Sequence, residues 1–216
     1  SITYGGKVMQ HLNYDQQENW DFITGTHQSP IALNHQKAIA DDNLSTIALD
    51  YDPTVTYVRD TGASIEFGLT GHATLNHRKF TVQQAHLHTP SEHVIDGVQA
   101  TAELHFVHLA ADGQMAVVAV PVMLGNTNAA FHTIFDNIGT QRALPIALSD
   151  LLPEERTYLH YLGSLTTPPL TENVEWYVLD HAIQIGQAEL DKFHQYYRGN
   201  NRKLQPDNDR PIEYFN

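Results

Sequence analysis

The chain has no cysteine among its 216 residues, which excludes disulfide bonds as a source of stability. Disulfides are rare in reducing compartments, so their absence argues for such a compartment and against export. A chain of this length can bury a substantial hydrophobic core without covalent crosslinks. We therefore expect a single domain that spans residues 1–216.

Positive charge and long apolar runs are also scarce. Lys and Arg number 12 against 25 Asp and Glu, which gives a formal net charge of −13. Nucleic acids and anionic membrane surfaces attract basic proteins, so neither is an expected partner. No apolar segment approaches the length that spans a membrane. The chain begins at Ser1 without a basic and apolar leader, so we expect that a signal peptide has been removed or that the chain has been trimmed.

Short segments with alternating or β-branched side chains dominate the remainder and are separated by turn residues. They predict six strands: Val55–Val58, Ser64–Leu69, Lys79–His88, Ala102–Leu109, Met115–Met123 and Glu175–Ile183. Apolar residues at helical spacing predict two helices: Asn128–Ile138 and Gln187–Tyr197. Many strands and few helices indicate an α+β fold built on a mostly antiparallel sheet with peripheral helices.

The segment from Gln84 to His88 places two histidines on one face of a strand. Side chains alternate along a strand, so His86 and His88 share a face, and His105 can reach them from the neighbouring strand Ala102–Leu109. Three neutral imidazoles without a fourth protein ligand are typical of an open tetrahedral zinc site. The pattern therefore predicts a Zn²⁺ site with one position left for water.

An alternative interpretation is a set of ordinary core histidines, because 14 histidines in one chain produce a His-x-His by chance fairly often. The neighbouring polar residues favour the metal site. Gln84 lies two residues before His86, and Glu103 lies two residues before His105, each on the face of its histidine. Such acceptors fix the tautomer of a ligand histidine and make it more basic. We expect Gln84 and Glu103 to support the ligands in this way.

Motifs along nearly the whole chain, from Trp20 to Pro206, extend this pattern. Two stretches closely resemble the zinc-binding core of α-class carbonic anhydrases, particularly of their bacterial branch: His86-Leu87-His88-Thr89-Pro90-Ser91-Glu92-His93 and Ala102-Glu103-Leu104-His105-Phe106-Val107-His108. Further matches in the same order are Gln28-Ser29-Pro30, Tyr161-Leu162-Gly163-Ser164-Leu165-Thr166-Thr167-Pro168-Pro169 and Trp176.

The resemblance implies a zinc lyase that interconverts carbon dioxide and bicarbonate by attack of zinc-bound hydroxide. It implies one catalytic domain on a strongly twisted sheet of about ten strands, with zinc at the base of a conical cavity. Bacterial relatives are usually exported and commonly dimeric, so a periplasmic or secreted location and a homodimer are expected, although the missing cysteines weaken the case for export. The alternative is a non-catalytic carbonic-anhydrase-related binding module.

The resemblance also assigns roles to residues beside the three zinc histidines. Thr166 would accept a hydrogen bond from the zinc-bound hydroxide and donate one to Glu92, while Thr167 would help to position bicarbonate. His93 would be a structural histidine that bonds to Tyr161. An apolar wall for carbon dioxide would consist of Val107, Val117, Leu165 and Trp176.

Several positions depart from the family pattern. Ala63 stands where fast members have a cavity histidine that carries protons, so that shuttle is expected to be missing. Glu66 would either relay protons or be an ordinary solvated carboxylate. The N-terminal His-Trp-x-Tyr motif is altered to His11-Leu12-Asn13-Tyr14. Phe22 and Leu170 occupy the places of a disulfide bond that is usual in bacterial members, and they are expected to pack on each other.

Overall fold

The computed structural model describes residues 2–4, 7–22 and 24–216. The strands are β1 (Ile2–Tyr4), β2 (Lys7–Met9), β3 (Ala32–Leu33), β4 (Ile39–Ala40), β5 (Ala48–Tyr51), β6 (Thr54–Val55), β7 (Val58–Asp60), β8 (Ile65–Gly68), β9 (Gly71–Leu75), β10 (Arg78–His88), β11 (Val94–Ile95), β12 (Val98–Gln99), β13 (Ala102–Leu109), β14 (Met115–Leu124), β15 (Leu144–Pro145), β16 (Tyr158–Ser164), β17 (Glu172–Leu179), β18 (Ile183–Ile185) and β19 (Glu213–Phe215). The helices are α1 (Ala129–Asp136) and α2 (Gln187–His194), with 3₁₀ turns at Tyr14–Asn19 and Leu148–Asp150.

Twelve of these strands form one sheet, whose central path runs in the order β4-β19-β16-β17-β14-β13-β10-β8-β7. β18 pairs with β14, β9 with β10, and β5 with β9. Most neighbours are antiparallel, but β14 runs parallel to β17 and β18, and β19 runs parallel to β4. The predicted α+β fold on a mostly antiparallel sheet is confirmed, with somewhat more strands than expected.

A β-bulge in β10 changes the face on which its side chains lie. The bulge falls between Val82 and Gln84 in the pairing with β13. Phe80 and Val82 pack into the larger hydrophobic core before it, and Ala85 and Leu87 pack there after it. Even-numbered side chains therefore leave the core face at the bulge, which places Gln84 and the two histidines that follow it on the opposite face.

The central strands are buried on both faces of the sheet. The larger hydrophobic cluster contains Leu104 and Phe106 of β13, whereas Val107 of the same strand belongs to a smaller cluster. Side chains alternate along the strand, so His105 shares the face of Val107. The smaller cluster and the histidines thus occupy the same side of the sheet.

Two of the predicted strands are wrong in extent. The segment Val55–Val58 is divided between β6, which pairs with β15, and β7, which pairs with β8. The segment Glu175–Ile183 is divided between β17 and β18, which pair with different stretches of β14. In both cases the predicted strand is interrupted where its pairing changes from one neighbouring strand to another. Side-chain alternation does not indicate which strand a segment pairs with. The second predicted helix ends at His194, three residues before Tyr197.

The expected mutual burial of Phe22 and Leu170 is wrong for one member of the pair. Both residues line a surface cavity of about 300 Å³. Leu170 is only 4% exposed, but Phe22 is 48% exposed. Because solvent reaches the Phe22 ring, this pair contributes less hydrophobic stabilisation than two buried side chains would.

His108 lies on the core face of β13 and is fully buried. Its Nδ1 lies 3.2 Å from the carbonyl of Ala116, and its Nε2 lies 2.5 Å from the hydroxyl of Tyr51. Burial lowers the pKa of His108 to about 4, so the ring is neutral in the folded protein near pH 7. An unfolded chain takes up this proton at about pH 6.5. The unfolded state therefore binds more protons between these two values, and acid favours unfolding there.

We predict that the free energy of unfolding of the metal-free protein falls between about pH 6.5 and pH 4, and that His108→Gln makes this fall shallower by up to about 1.4 kcal/mol per pH unit. Glutamine can donate to Ala116 and accept from Tyr51 without titrating. Urea denaturation at a series of pH values measures the slope. The exposed His72→Gln control should keep the wild-type slope, and an equally unchanged slope for His108→Gln would contradict the prediction.

Candidate metal centre

Three histidine rings from two adjacent strands face one another. His86 on β10 lies directly opposite His105 on β13, and His88 follows two residues later on the same face. The centroid of the His86 ring lies 5.0 Å from that of His88 and 5.4 Å from that of His105, and the last two centroids are 4.7 Å apart. One ring nitrogen of each histidine lies within 4.8 Å of the other two. The structure therefore brings together all three predicted ligands.

Each of these rings uses its other nitrogen to bond to an oxygen of the protein. Nδ1 of His86 lies 2.8 Å from Oε1 of Gln84. Nε2 of His105 bonds to Oε2 of Glu103. In a neutral imidazole, a ring nitrogen that faces a hydrogen-bond acceptor carries the proton, and the other ring nitrogen keeps its lone pair. Nε2 of His86 and Nδ1 of His105 are thus available as ligand atoms, and both acceptors are the ones that the sequence predicts.

Asn200 supplies the third acceptor, which the sequence did not indicate. Its backbone carbonyl lies 2.7 Å from Nδ1 of His88, 112 residues away in the chain. Its own position is fixed by bonds from its backbone N–H to Thr89 and from its side-chain amide to the carbonyls of Leu87 and Ala63. Because the group that contacts His88 is a backbone carbonyl, no side-chain pattern could have identified it.

The remaining nitrogen of His88 supplies a test of whether the cluster fits a metal ion. Nε2 of His88 is buried and has no hydrogen-bond partner among the described residues. A buried polar atom without a partner costs free energy, so a ligand for it is expected. Burial lowers the pKa of both His86 and His88, which keeps the rings neutral and their lone pairs free for a metal. Three neutral imidazole nitrogens fit Zn²⁺ in an open site.

Glu103 joins the cluster to a buried chain of hydrogen bonds. Its carboxylate accepts bonds from the ring of His105 and from the backbone and ring of His93, the last two at 2.9 Å. The His93 ring also lies 2.6 Å from the hydroxyl of Tyr161, as the sequence predicts, and that hydroxyl is 2.8 Å from the hydroxyl of Ser29. Burial alone would raise the pKa of Glu103, but the two imidazoles hold it below its usual range. An ionised carboxylate thus orients both rings.

Glu92 lies beside the ligand nitrogens with one oxygen free. Its Oε2 accepts a bond of 2.6 Å from the backbone N–H of Arg202. Its Oε1 is buried and has no hydrogen-bond partner in the part of the chain that the structure describes. It lies 3.4 Å from Nε2 of His88 and 3.9 Å from Nδ1 of His105. Thr166 is also buried, but Glu92 Oε1 does not bond to it in this structure. The predicted hydrogen bond between Thr166 and Glu92 therefore stays a prediction, for which an acceptor atom is available.

The predicted apolar wall lies on the same side of the sheet as the histidines. Val107 is paired with Val117, and Val117 is paired with Trp176 across three adjacent strands. All three belong to the smaller hydrophobic cluster, and Leu165 packs against it. The centroid of the Trp176 ring lies 4.9 Å from that of the His105 ring, so this cluster adjoins the candidate metal site.

Ala63, which stands in place of the proton-carrying histidine, and Glu66 have different surroundings. Ala63 and Thr167 line one surface cavity of about 470 Å³. Glu66 lies opposite His86 on β8, but it bonds to the hydroxyl of Tyr57 at 2.7 Å and pairs with Arg59 at 2.8 Å. The interpretation of Glu66 as a solvated carboxylate is therefore wrong, since only 13% of its side chain is exposed. Both contacts are made to Oε2 of Glu66.

Within the described residues, no helix combines the length and apolar character that crossing a membrane would require.

Comparison with known proteins identifies the relatives of this chain. A family model for eukaryotic-type carbonic anhydrases matches residues 15–216. The carbonic anhydrase of Pectobacterium carotovorum is 34% identical over 198 residues, which cover 88% of this chain and 80% of that protein. The carbonic anhydrase of Neisseria gonorrhoeae is 34% identical over 220 residues, which cover 94% and 86%. The structure of the α-carbonic anhydrase of Thermovibrio ammonificans with the inhibitor sulfanilamide matches with a TM-score of 0.81 at 33% identity, covering 88% of this chain and 87% of that one.

We predict that the metal-free protein binds one Zn²⁺ per chain and that His86→Ala sharply lowers the zinc retained after dialysis, because two imidazoles hold the ion far less tightly than three. Elemental analysis and chelator competition measure zinc content and affinity. His132→Ala removes an exposed histidine of α1 and is the matched control. A His86→Ala protein that retains zinc like the control would show that the ligands are wrongly assigned.

We also predict that Glu103→Gln weakens zinc binding about 10- to 100-fold, because a neutral amide cannot act as an anionic acceptor for two rings. The zinc dissociation rate in the presence of excess chelator is the measurement. Glu154→Gln, at an exposed position, should leave the rate unchanged. Equal rates for both variants would exclude a supporting role for Glu103.

Proposed function

The chain belongs to the eukaryotic-type, or α-class, carbonic anhydrases, enzymes that interconvert carbon dioxide and bicarbonate, and we propose that it does so with a zinc ion held by His86, His88 and His105. The observation that carries this proposal is the buried Nε2 of His88, which no described residue bonds to. It lies beside ring nitrogens of His86 and His105, whose other ring nitrogens are bonded to the protein. Zinc bound by three imidazoles lowers the pKa of a bound water molecule to about 7, the value known for carbonic anhydrase itself, and so supplies hydroxide near neutral pH.

Thr166 would orient the attacking oxygen through Glu92. A carboxylate can only accept hydrogen bonds, and one buried oxygen of Glu92 has no partner within the described residues. If the Thr166 hydroxyl donates its proton to that oxygen, Thr166 can act towards the nucleophile only as a hydrogen-bond acceptor. The nucleophile would then direct its proton towards Thr166 and a lone pair towards the substrate. The backbone N–H of Arg202 holds the other oxygen of Glu92 and so limits rotation of the carboxylate.

Carbon dioxide is uncharged and apolar, so it requires a hydrophobic surface beside the nucleophile. The smaller hydrophobic cluster supports this role for Val107, Val117, Leu165 and Trp176. Thr167, the neighbour of Thr166 in the chain, lines a surface cavity, and its hydroxyl would help to position the polar product bicarbonate. With Ala63 on the same cavity wall, position 63 has no side chain that could transfer a proton.

An exported location and a homodimer are further proposals that rest on the resemblance to bacterial enzymes. Fractionation of the source cells tests the first. Sedimentation of the purified protein tests the second.

We predict that the zinc-loaded protein hydrates carbon dioxide in a stopped-flow assay and that Thr166→Val lowers kcat/KM on the order of 100-fold through misorientation of the nucleophile. Zinc content should not change, because Thr166 is not a ligand. The control Thr81→Val alters an exposed threonine of β10. A zinc-loaded wild-type protein without hydration activity would support the non-catalytic alternative, and a fully active Thr166→Val protein would exclude the orienting role.

A further inference from the structure

Hydration of carbon dioxide requires a route for one proton in every cycle. One molecule of carbon dioxide and one of water give one bicarbonate ion and one proton, which must reach the solvent before the next cycle. Ala63 cannot carry it. Glu66 forms an ion pair with Arg59 and is not among the described residues that line the cavity of Ala63 and Thr167. We propose that His11 accepts this proton and passes it to buffer, and that Asp60 positions its ring. This inference rests on the function proposed above.

His11 lines the same cavity as Ala63 and Thr167. Among the described residues that line this cavity, it is the only one whose side chain is an acid or a base. The wall of the cavity is connected to the candidate metal centre. The carbonyl of Ala63 accepts a bond of 3.1 Å from the side chain of Asn200, whose backbone carbonyl contacts His88.

Asp60 holds one nitrogen of this ring and leaves the other available. Oδ2 of Asp60 lies 2.7 Å from Nε2 of His11. The Asp60 side chain is fully buried, whereas 21% of the His11 side chain is exposed. A buried carboxylate on Nε2 requires the proton there, so the lone pair is on Nδ1. Among the described residues Nδ1 has no hydrogen-bond partner, which leaves it free to accept a proton.

Two further contacts hold this pair in place. The ring of Tyr197 stacks on the ring of His11, with centroids 4.4 Å apart and an interplanar angle of 9°. The hydroxyl of Tyr197 and the backbone N–H of Gly62 both donate to Oδ1 of Asp60. Burial raises the pKa of Tyr197 above its usual range, and the bond to Asp60 adds to this, so the phenol remains a donor. Asp60 and Tyr197 are the titratable groups in direct contact with His11 in the described structure. The phenol of Tyr14 lies nearby and donates to the carbonyl of Ala63.

The proton would move in two steps. It passes through cavity water to Nδ1 of His11, which gives an imidazolium ion that the Asp60 carboxylate stabilises. It then passes from Nδ1 to a buffer base that enters the cavity, and the neutral ring is restored. No bond other than those to this proton is formed or broken at His11.

The kinetic test is His11→Gln, which keeps a donor for Asp60 but does not titrate. At low buffer concentration kcat should fall on the order of 100-fold, the lower end of what a positioned acid–base group contributes. The value of kcat/KM should stay near that of wild type, because it does not include proton release to buffer. Added imidazole should restore kcat. His72→Gln is the matched control and should change neither constant.

A second variant distinguishes proton transfer from a structural role. Ala63→His, introduced into the His11→Gln protein, restores an imidazole to the same cavity but not the stacking on Tyr197. It should recover most of kcat at low buffer concentration. If His11→Gln lowered kcat only through loss of stacking on Tyr197, Ala63→His would not restore kcat.

The tautomer of His11 can be measured in the metal-free wild-type protein, without an activity assay. This measurement tests the proposal even if the His11→Gln protein does not fold. Nitrogen-15 NMR of the wild type should show His11 with its proton on Nε2 when neutral and should show Nδ1 gaining a proton on acidification. Asp60→Asn should weaken this tautomer preference. A neutral ring protonated on Nδ1, or kcat unchanged by His11→Gln at low buffer concentration, would overturn the role of His11. A zinc-loaded wild type without any hydration would instead refute the proposed function.

Discussion

The hydrogen bond on the outer nitrogen of each clustered histidine decides which nitrogen it offers to a metal ion. Gln84 and the carbonyl of Asn200 engage Nδ1 of their histidines, whereas Glu103 engages Nε2 of His105. The inner atoms are therefore two Nε2 nitrogens and one Nδ1 nitrogen. If one acceptor were lost, its ring could take the other tautomer and place a proton where a metal ion requires a lone pair. The remaining geometry of the centre depends on these three bonds.

The sheet makes such bonds possible by burying its central strands on both faces. The bulge in β10 removes the even-numbered side chains from the large core after Val82, so the histidines share a face with the smaller cluster around Trp176. Burial keeps the pKa of His86 and His88 low, and the same burial would raise that of Glu103 if it lacked its two imidazole partners. One environment thus maintains neutral ligands and an ionised acceptor next to each other.

Local patterns in the sequence were sufficient for the histidine cluster and two of its acceptors. Alternation along a strand relates His86 to Gln84 and His105 to Glu103, since each pair is separated by two residues. The same rule did not predict the bulge, the division of Glu175–Ile183 or the carbonyl of Asn200. Each of these depends on which distant segment the strand meets, and alternation describes only the strand itself. The pair of His11 and Asp60, 49 residues apart, was missed for the same reason.

A high-resolution crystal structure of the zinc-loaded protein would identify the atom through which each histidine binds, and so test the tautomer of each ring. We predict one zinc ion at about 2.0–2.1 Å from Nε2 of His86, Nε2 of His88 and Nδ1 of His105, with no fourth ligand from the protein. Zinc bound through a nitrogen that now contacts Gln84, Asn200 or Glu103 would contradict it. So would coordination by the free oxygen of Glu92.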